Sequence, residues 1–314
     1  MKQTEQIDSA HSSLDRCLQF DMTSNPGGLP LILMRSIARK SPDVHALLLA
    51  IADRLSRGQP PGDELQVWRK EIFSLATRLH WFSISQHATI QRVYAALLLD
   101  FSPASITKTL EDSADAGLIC RLASPEEMDA FTTLPTSDLA DWTWWMFIHE
   151  DGDPSGNERR QALWGKLLEF RNNRELLLYA QRHYLSRRFP DFILADPDFS
   201  EEYDLPWDFD RILALEHVRA KKDRKYQRFV CEWINTIGNL RAVPFEDNHY
   251  SSSEMASSKI KTTEQMENGF LLPEDISGFS IGQVLDSETD AAKFAQTCQT
   301  RMVRIYAEWF NRLA

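Results

Sequence analysis

Apolar residues spaced three and four apart constrain this chain more than any other feature. Phe294, Cys298, Met302, Ile305, Trp309 and Leu313 share one face of a helix with 3.6 residues per turn. Leu65, Trp68, Ile72, Leu75, Ala76 and Leu79 repeat the pattern behind Asp63-Glu64, a pair of acids suited to the positive end of a helix. Gln86–Leu99 continues the theme, and Pro103 opens a segment carrying Ile106, Leu110 and Ala114. Two more helices are expected over Arg159–Phe170 and Arg174–Arg188, the second stopped by Pro190. A strand sends alternate residues to opposite faces, so strands could not gather these stripes. The expected fold is mainly α.

The stripes break at particular places. Residues 1–28 read as a flexible entry segment ending in the turn cluster Asn25-Pro26-Gly27-Gly28. A helical domain is expected over 29–195. The segment Phe189–Trp207, with three prolines and many aspartates, marks a boundary, and 196–314 forms the second domain. Within it, Ile212–Leu215 and Leu240–Val243 read as short β-like stretches before the closing helix. With 314 residues, 43% of them hydrophobic, the chain can bury one large core or two smaller ones, which excludes whole-chain disorder.

Charge is unevenly spread. From Glu111 to Asp153 there are eleven acidic residues and a single cation, Arg121, which accounts for nearly all of the net −11. The remainder is close to neutral, so the negative total does not argue against nucleic acid; local patches decide that. Arg219–Arg228 holds six cations and one anion, either a solvated face or a phosphate-binding run. Inside the acidic block, Trp142-Thr143-Trp144-Trp145-Met146-Phe147 reads as core packing or as an anchor for a basic protein partner. No apolar run approaches the roughly 18–20 residues of a membrane span, so no membrane partner is expected. The start, MKQTEQIDSAHSS, lacks the apolar stretch of a secretory signal, which points to the cytoplasm. Cys17, Cys120, Cys231 and Cys298 lack the Cys-x-x-Cys spacing of a zinc knuckle or redox pair and read as buried free thiols.

The chemistry-bearing residues lie in the second half. Trp207-Asp208-Phe209-Asp210-Arg211-Ile212-Leu213 is an acid-containing strand. Ile237-Gly238-Asn239-Leu240-Arg241 holds a Gly-Asn turn, and Asn248 follows. This series resembles the C-terminal nuclease region of GmrSD-type restriction endonucleases, an HNH (His-Me finger) family. Its members show Asp-His-Ile-x-Pro, then Gly-Asn-Leu, then an Asn. Asn173–Arg182 is similar to the helix those proteins carry before the nuclease core. Arg304–Phe310 is similar to their closing helix, and Ser24–Leu31 with the helices after it resembles their linker half.

The resemblance implies a small ββα-metal element between about Trp207 and Lys259. It implies one Mg²⁺ or Mn²⁺ held by Asp210 and Asn248, hard oxygen donors that suit such ions, with Asn239 organising the site. It also implies restriction of foreign (phage) DNA. Relatives begin with a ParB-like domain marked by Asp-Gly-Gln-Gln-Arg, a string this sequence does not contain, so a separate ParB-like N-terminal subunit is an expected partner beside DNA. The sequence departs from the family at the catalytic His position, which holds Arg211, and at the Pro position, which holds Ala214. A guanidinium stays protonated and cannot act as a general base. Three readings stay open: a silent centre, a catalytic use of Arg211, or rescue by His217 or His249. Arg219, Lys221, Lys222, Arg224 and Lys225, with Arg241 and His249, are the expected nucleic-acid contacts.

Overall fold

A computed structural model describes residues 37–38, 40–81, 87–112, 124–126, 173–181, 184, 207–214, 233–244, 255–279 and 288–313. The described chain is mainly α, and its strands form a single antiparallel pair. The residues divide into two compact units. One comprises Met1–Leu122, Leu185–Asp196 and Phe310–Ala314; the other comprises Ala123–Tyr184 and Pro197–Trp309.

In the first unit, α1 (Pro42–Gly58) starts with Pro at its first turn, where the missing N–H costs nothing. It ends at Gln59, which has a left-handed φ of 44° and donates its N–H to the Leu55 carbonyl. Val44, Leu47, Leu48, Ile51, Ala52 and Leu55 form its buried face. In α2 (Gly62–Ala76), Trp68, Ile72, Leu75 and Ala76 are buried, and Leu79 continues the stripe in a π-helical turn over Thr77–Trp81. Trp68 stacks on Phe101 with centroids 4.5 Å apart, and the Arg54 guanidinium also lies over the Phe101 ring, 4.3 Å from its centroid. Helices α3 (His87–Leu99) and α4 (Pro103–Asp112) bury Ile90, Val93, Leu97, Ile106 and Leu110. Between them Asp100 accepts hydrogen bonds from the hydroxyls of Ser102 and Ser105, which hold its carboxyl below the usual range.

The second unit holds α5 (Arg174–Ala180), β1 (Trp207–Arg211), β2 (Leu240–Pro244), α6 (Ala256–Lys259), α7 (Thr263–Asn268), α8 (Pro273–Phe279) and α9 (Glu288–Leu313), whose last residues from Phe310 belong to the first unit. Asn173 caps α5 by accepting the Glu175 N–H. Helix α5 belongs with the strands, not with the helices up to residue 195 among which its periodicity placed it. The reason is a set of specific bonds. Gln181 Oε1 accepts the Ala242 N–H at 2.8 Å, and Trp309 Nε1 donates to the Leu176 carbonyl at 2.8 Å while its ring lies 4.5 Å from that of Tyr179.

Helix α9 buries Phe294, Cys298, Met302, Ile305 and Trp309, of which Phe294, Met302 and Ile305 are each worth roughly 1.5–3 kcal/mol of apolar burial. It approaches its neighbours closely at two glycines. A Cβ on Gly238 would fall 2.4 Å from the Cys298 carbonyl oxygen, and one on Gly278 would meet Thr297 Oγ1 at 2.0 Å. No helix among the described residues is long and apolar enough to cross a membrane.

β2 lies where the apolar pattern put it, whereas β1 ends at Arg211, just before the expected stretch Ile212–Leu215. β1 pairs with β2 in the register Asp208↔Val243, Phe209↔Ala242, Asp210↔Arg241 and Arg211↔Leu240. Ile212, Leu213 and Ala214, read as strand, leave the ladder and are buried in a bend. Asn239, instead of a partner strand, satisfies the backbone there. The helix expected over Arg159–Phe170, the entry segment 1–28, the Trp142–Phe147 cluster, and Cys17, Cys120 and Cys231 lie outside the described residues.

Candidate functional site

Asn239 ends the Gly-Asn turn and is fully buried. Its Oδ1 accepts the Leu213 N–H at 2.8 Å. Its Nδ2 donates to the carbonyls of Leu213 and Ile234 at 3.1 and 2.9 Å, while its own carbonyl accepts the Ile212 N–H at 2.8 Å. One residue thus replaces the missing ladder partner after β1 and fixes the end of β1 against the start of β2. The bonds of the Asn239 side chain all go to backbone, so its part in the site is to organise the turn.

Below the same turn lies Arg301 of α9, fully buried. Its Nη1 donates to the carbonyls of Ile237 and Gly238 at 2.6 and 2.9 Å, and its Nε donates to Gly269 at 2.6 Å. Burial pushes its pKa down to about 9, so it keeps its charge at neutral pH. Neighbouring Cys298 is a buried free thiol whose pKa burial drives upward, which leaves it unreactive.

Asp210 is the buried acid of β1, and both of its oxygens are engaged. Oδ2 accepts Nε and Nη2 of Arg241 at 3.1 and 3.0 Å. Oδ1 accepts Lys259 Nζ at 2.8 Å. The side chains of Asp210, Arg241 and Lys259 are 1%, 9% and 0% exposed. The register explains the first pair, since residues directly opposite on two strands face the same side. The second comes from α6, whose last residue also donates from Nζ to the Arg211 carbonyl at 2.7 Å.

This arrangement does not fit a divalent ion on Asp210. A carboxylate offers about four acceptor directions, and three of them are used. Two cations in contact with it would repel a third in a buried setting. Among the described residues no group of three or more His, Cys, Asp or Glu side chains is placed to hold a metal. Arg241, expected as a nucleic-acid contact, is turned onto Asp210 instead, because the register sets it opposite the acid.

Arg211 points elsewhere. It alternates with Asp210 along β1, so its guanidinium leaves the buried face. Its Nε and Nη2 donate to Asn235 Oδ1 at 3.1 and 2.9 Å at the surface. Asn235 holds Arg211, and Arg241 and Lys259 hold Asp210. On the same strand face, the exposed Arg174 guanidinium lies 5.4 Å from the centroid of the Phe209 ring. His217, Arg219, Lys221, Lys222, Arg224, Lys225, Asn248 and His249 lie outside the described residues.

Three contributors, Lys259, Asn235 and Arg301, are not among the site residues read from the sequence. Lys259 follows a serine run and carries no periodic signal. Asn235 is an exposed turn residue. Arg301 is the one with a legible signal: it stands three residues after Cys298 and four before Ile305, a cation in phase with the apolar stripe. Comparison with protein-family models, with curated proteins and with solved structures finds no match to this chain.

Proposed function

We propose that this chain is a GmrSD-type, HNH-like protein that engages DNA without hydrolysing it, as a subunit of a system restricting foreign DNA. In this reading the strand pair and α6 are the counterparts of the family's ββα element, and a ParB-like subunit is the expected partner. The observation that carries the reading is Arg211. It stands where the family has its general base, is permanently cationic, and is held by Asn235 at the surface. A general base works best with a pKa near the working pH, which a guanidinium cannot approach. A guanidinium does suit phosphate oxygens, which it binds through paired N–H donors.

The resemblance of the motif series and the basic run Arg219–Arg228 supply the rest of the support. DNA binding follows from counterion release, so it should be sequence-independent and weaken with salt. A gel-shift titration at two salt concentrations tests this. Neutralising Lys221, Lys222, Arg224 and Lys225 together should weaken binding. It should also reduce the log–log salt slope by roughly 0.9 for each phosphate that the variant no longer neutralises. Failure of the unmodified chain to shift duplex DNA at low salt would overturn the reading.

A further inference from the structure

The face of β1 turned away from Asp210 carries a second group of side chains. Phe209 and Arg211 alternate with Asp210, so they share that face, about 6.6 Å apart along the strand. Phe209 is half-buried. Exposed Arg174, at the start of α5, holds its guanidinium over the ring, 5.4 Å from the centroid. Arg211 commits Nε and Nη2 to Asn235. Among the described residues its Nη1 has no partner, and neither Arg174 nor Arg211 pairs with a carboxylate. Two guanidiniums without an anion thus border one aromatic ring.

We infer that Arg174, Phe209 and Arg211 form a contact for one unpaired nucleotide of a single DNA strand. This rests on the DNA-binding reading and specifies the form of DNA. A guanidinium backed by an aromatic ring presents a flat cationic surface, and a nucleobase stacks on such a surface whatever its identity. Arg211 Nη1, on the same face, offers its N–H donors to a phosphate oxygen. A nucleotide joins the two groups that this pair recognises, a π face and an anion. In a duplex each base face is covered by its neighbours, so only an unpaired base can take the position. The fold sets both guanidiniums in place. The Gln181–Ala242 bond ties the end of α5 to β2, and Asn235 fixes Arg211.

The probes are a labelled oligothymidine and a labelled mixed-sequence duplex, each titrated with the full chain at one fixed salt concentration and followed by fluorescence anisotropy. Arg174→Lys keeps the charge and loses the plane. It should weaken oligothymidine binding about fivefold or more, the smallest effect expected for one lost stack, and change duplex binding by less than about twofold. Phe209→Leu, which removes the ring behind the guanidinium, should show the same selective loss. Arg174 is exposed, so its variant should fold as the parent does. Equal losses on both probes, or no loss on oligothymidine, would overturn the inference. So would an unmodified chain that binds the duplex but not oligothymidine, a result that leaves the DNA-binding reading standing. An unmodified chain that binds neither probe would overturn both.

Discussion

Two carboxylates, one in each unit, meet their cations differently. In the helical unit, Glu71 has Arg78 at 3.8 Å and a hydrogen bond from Thr107 Oγ1 at 3.0 Å. Burial outweighs both, and its pKa rises above the ordinary value. In the strand unit, Asp210 has three direct bonds from two cations at 2.8–3.1 Å. Glu71 is a group the fold tolerates. Asp210 is a group around which β1, β2 and α6 are joined. Contact geometry, more than burial, separates an incidental charge from an organising one.

The largest test of that contrast removes the organising charge. Asp210→Asn leaves Arg241 and Lys259 buried without an anion and should lower unfolding stability by about 3–5 kcal/mol, measured as a shift in the urea midpoint at constant slope. A loss below about 1 kcal/mol would place Asp210 with Glu71.

Arg301→Met comes next. It frees three buried carbonyls, at Ile237, Gly238 and Gly269, but also relieves the desolvation that pushes the guanidinium down to about 9. A net loss of about 2–4 kcal/mol is expected in the same urea melts. Lys259→Met should cost less than Asp210→Asn, about 1–3 kcal/mol, because Arg241 still neutralises the acid.

Glu71→Gln should have the smallest effect and the opposite sign. A carboxyl whose pKa is raised on folding contributes stability that is present below its unfolded value and is lost as pH rises through the folded one. The glutamine variant should therefore match the parent near pH 4 and be slightly more stable, by less than about 1 kcal/mol, at pH 7. Urea melts at the two pH values check this; a variant less stable at pH 7 would show that Arg78 and Thr107 outweigh burial.

Legibility in the sequence depends on period. The stripe Phe294–Trp309 and the face Trp68–Leu75 repeat every three or four residues, so the helices can be read directly. Ile212-Leu213-Ala214 has no such period. An apolar triplet suits a strand and a buried bend equally, and only the Asn239 side chain decides for the bend. Asp210, Arg211 and Asn239 are visible as a motif. Their partners are not, because Lys259 and Asn235 are distant single residues without pattern. The antiparallel register that turns Arg241 onto Asp210 is a property of pairing, which a single strand's sequence does not contain.

In the proposed reading the centre on β1 is closed, with a fixed guanidinium at the base position and a cation-bound acid beside it. Nicking of supercoiled plasmid by the purified chain, with Mg²⁺ or Mn²⁺ present, is the decisive assay. No nicking is expected from the unmodified chain. None is expected from Arg211→His alone either, because Arg241 and Lys259 still hold Asp210. Robust cleavage by the unmodified chain, abolished in Asp210→Ala, would contradict a closed centre.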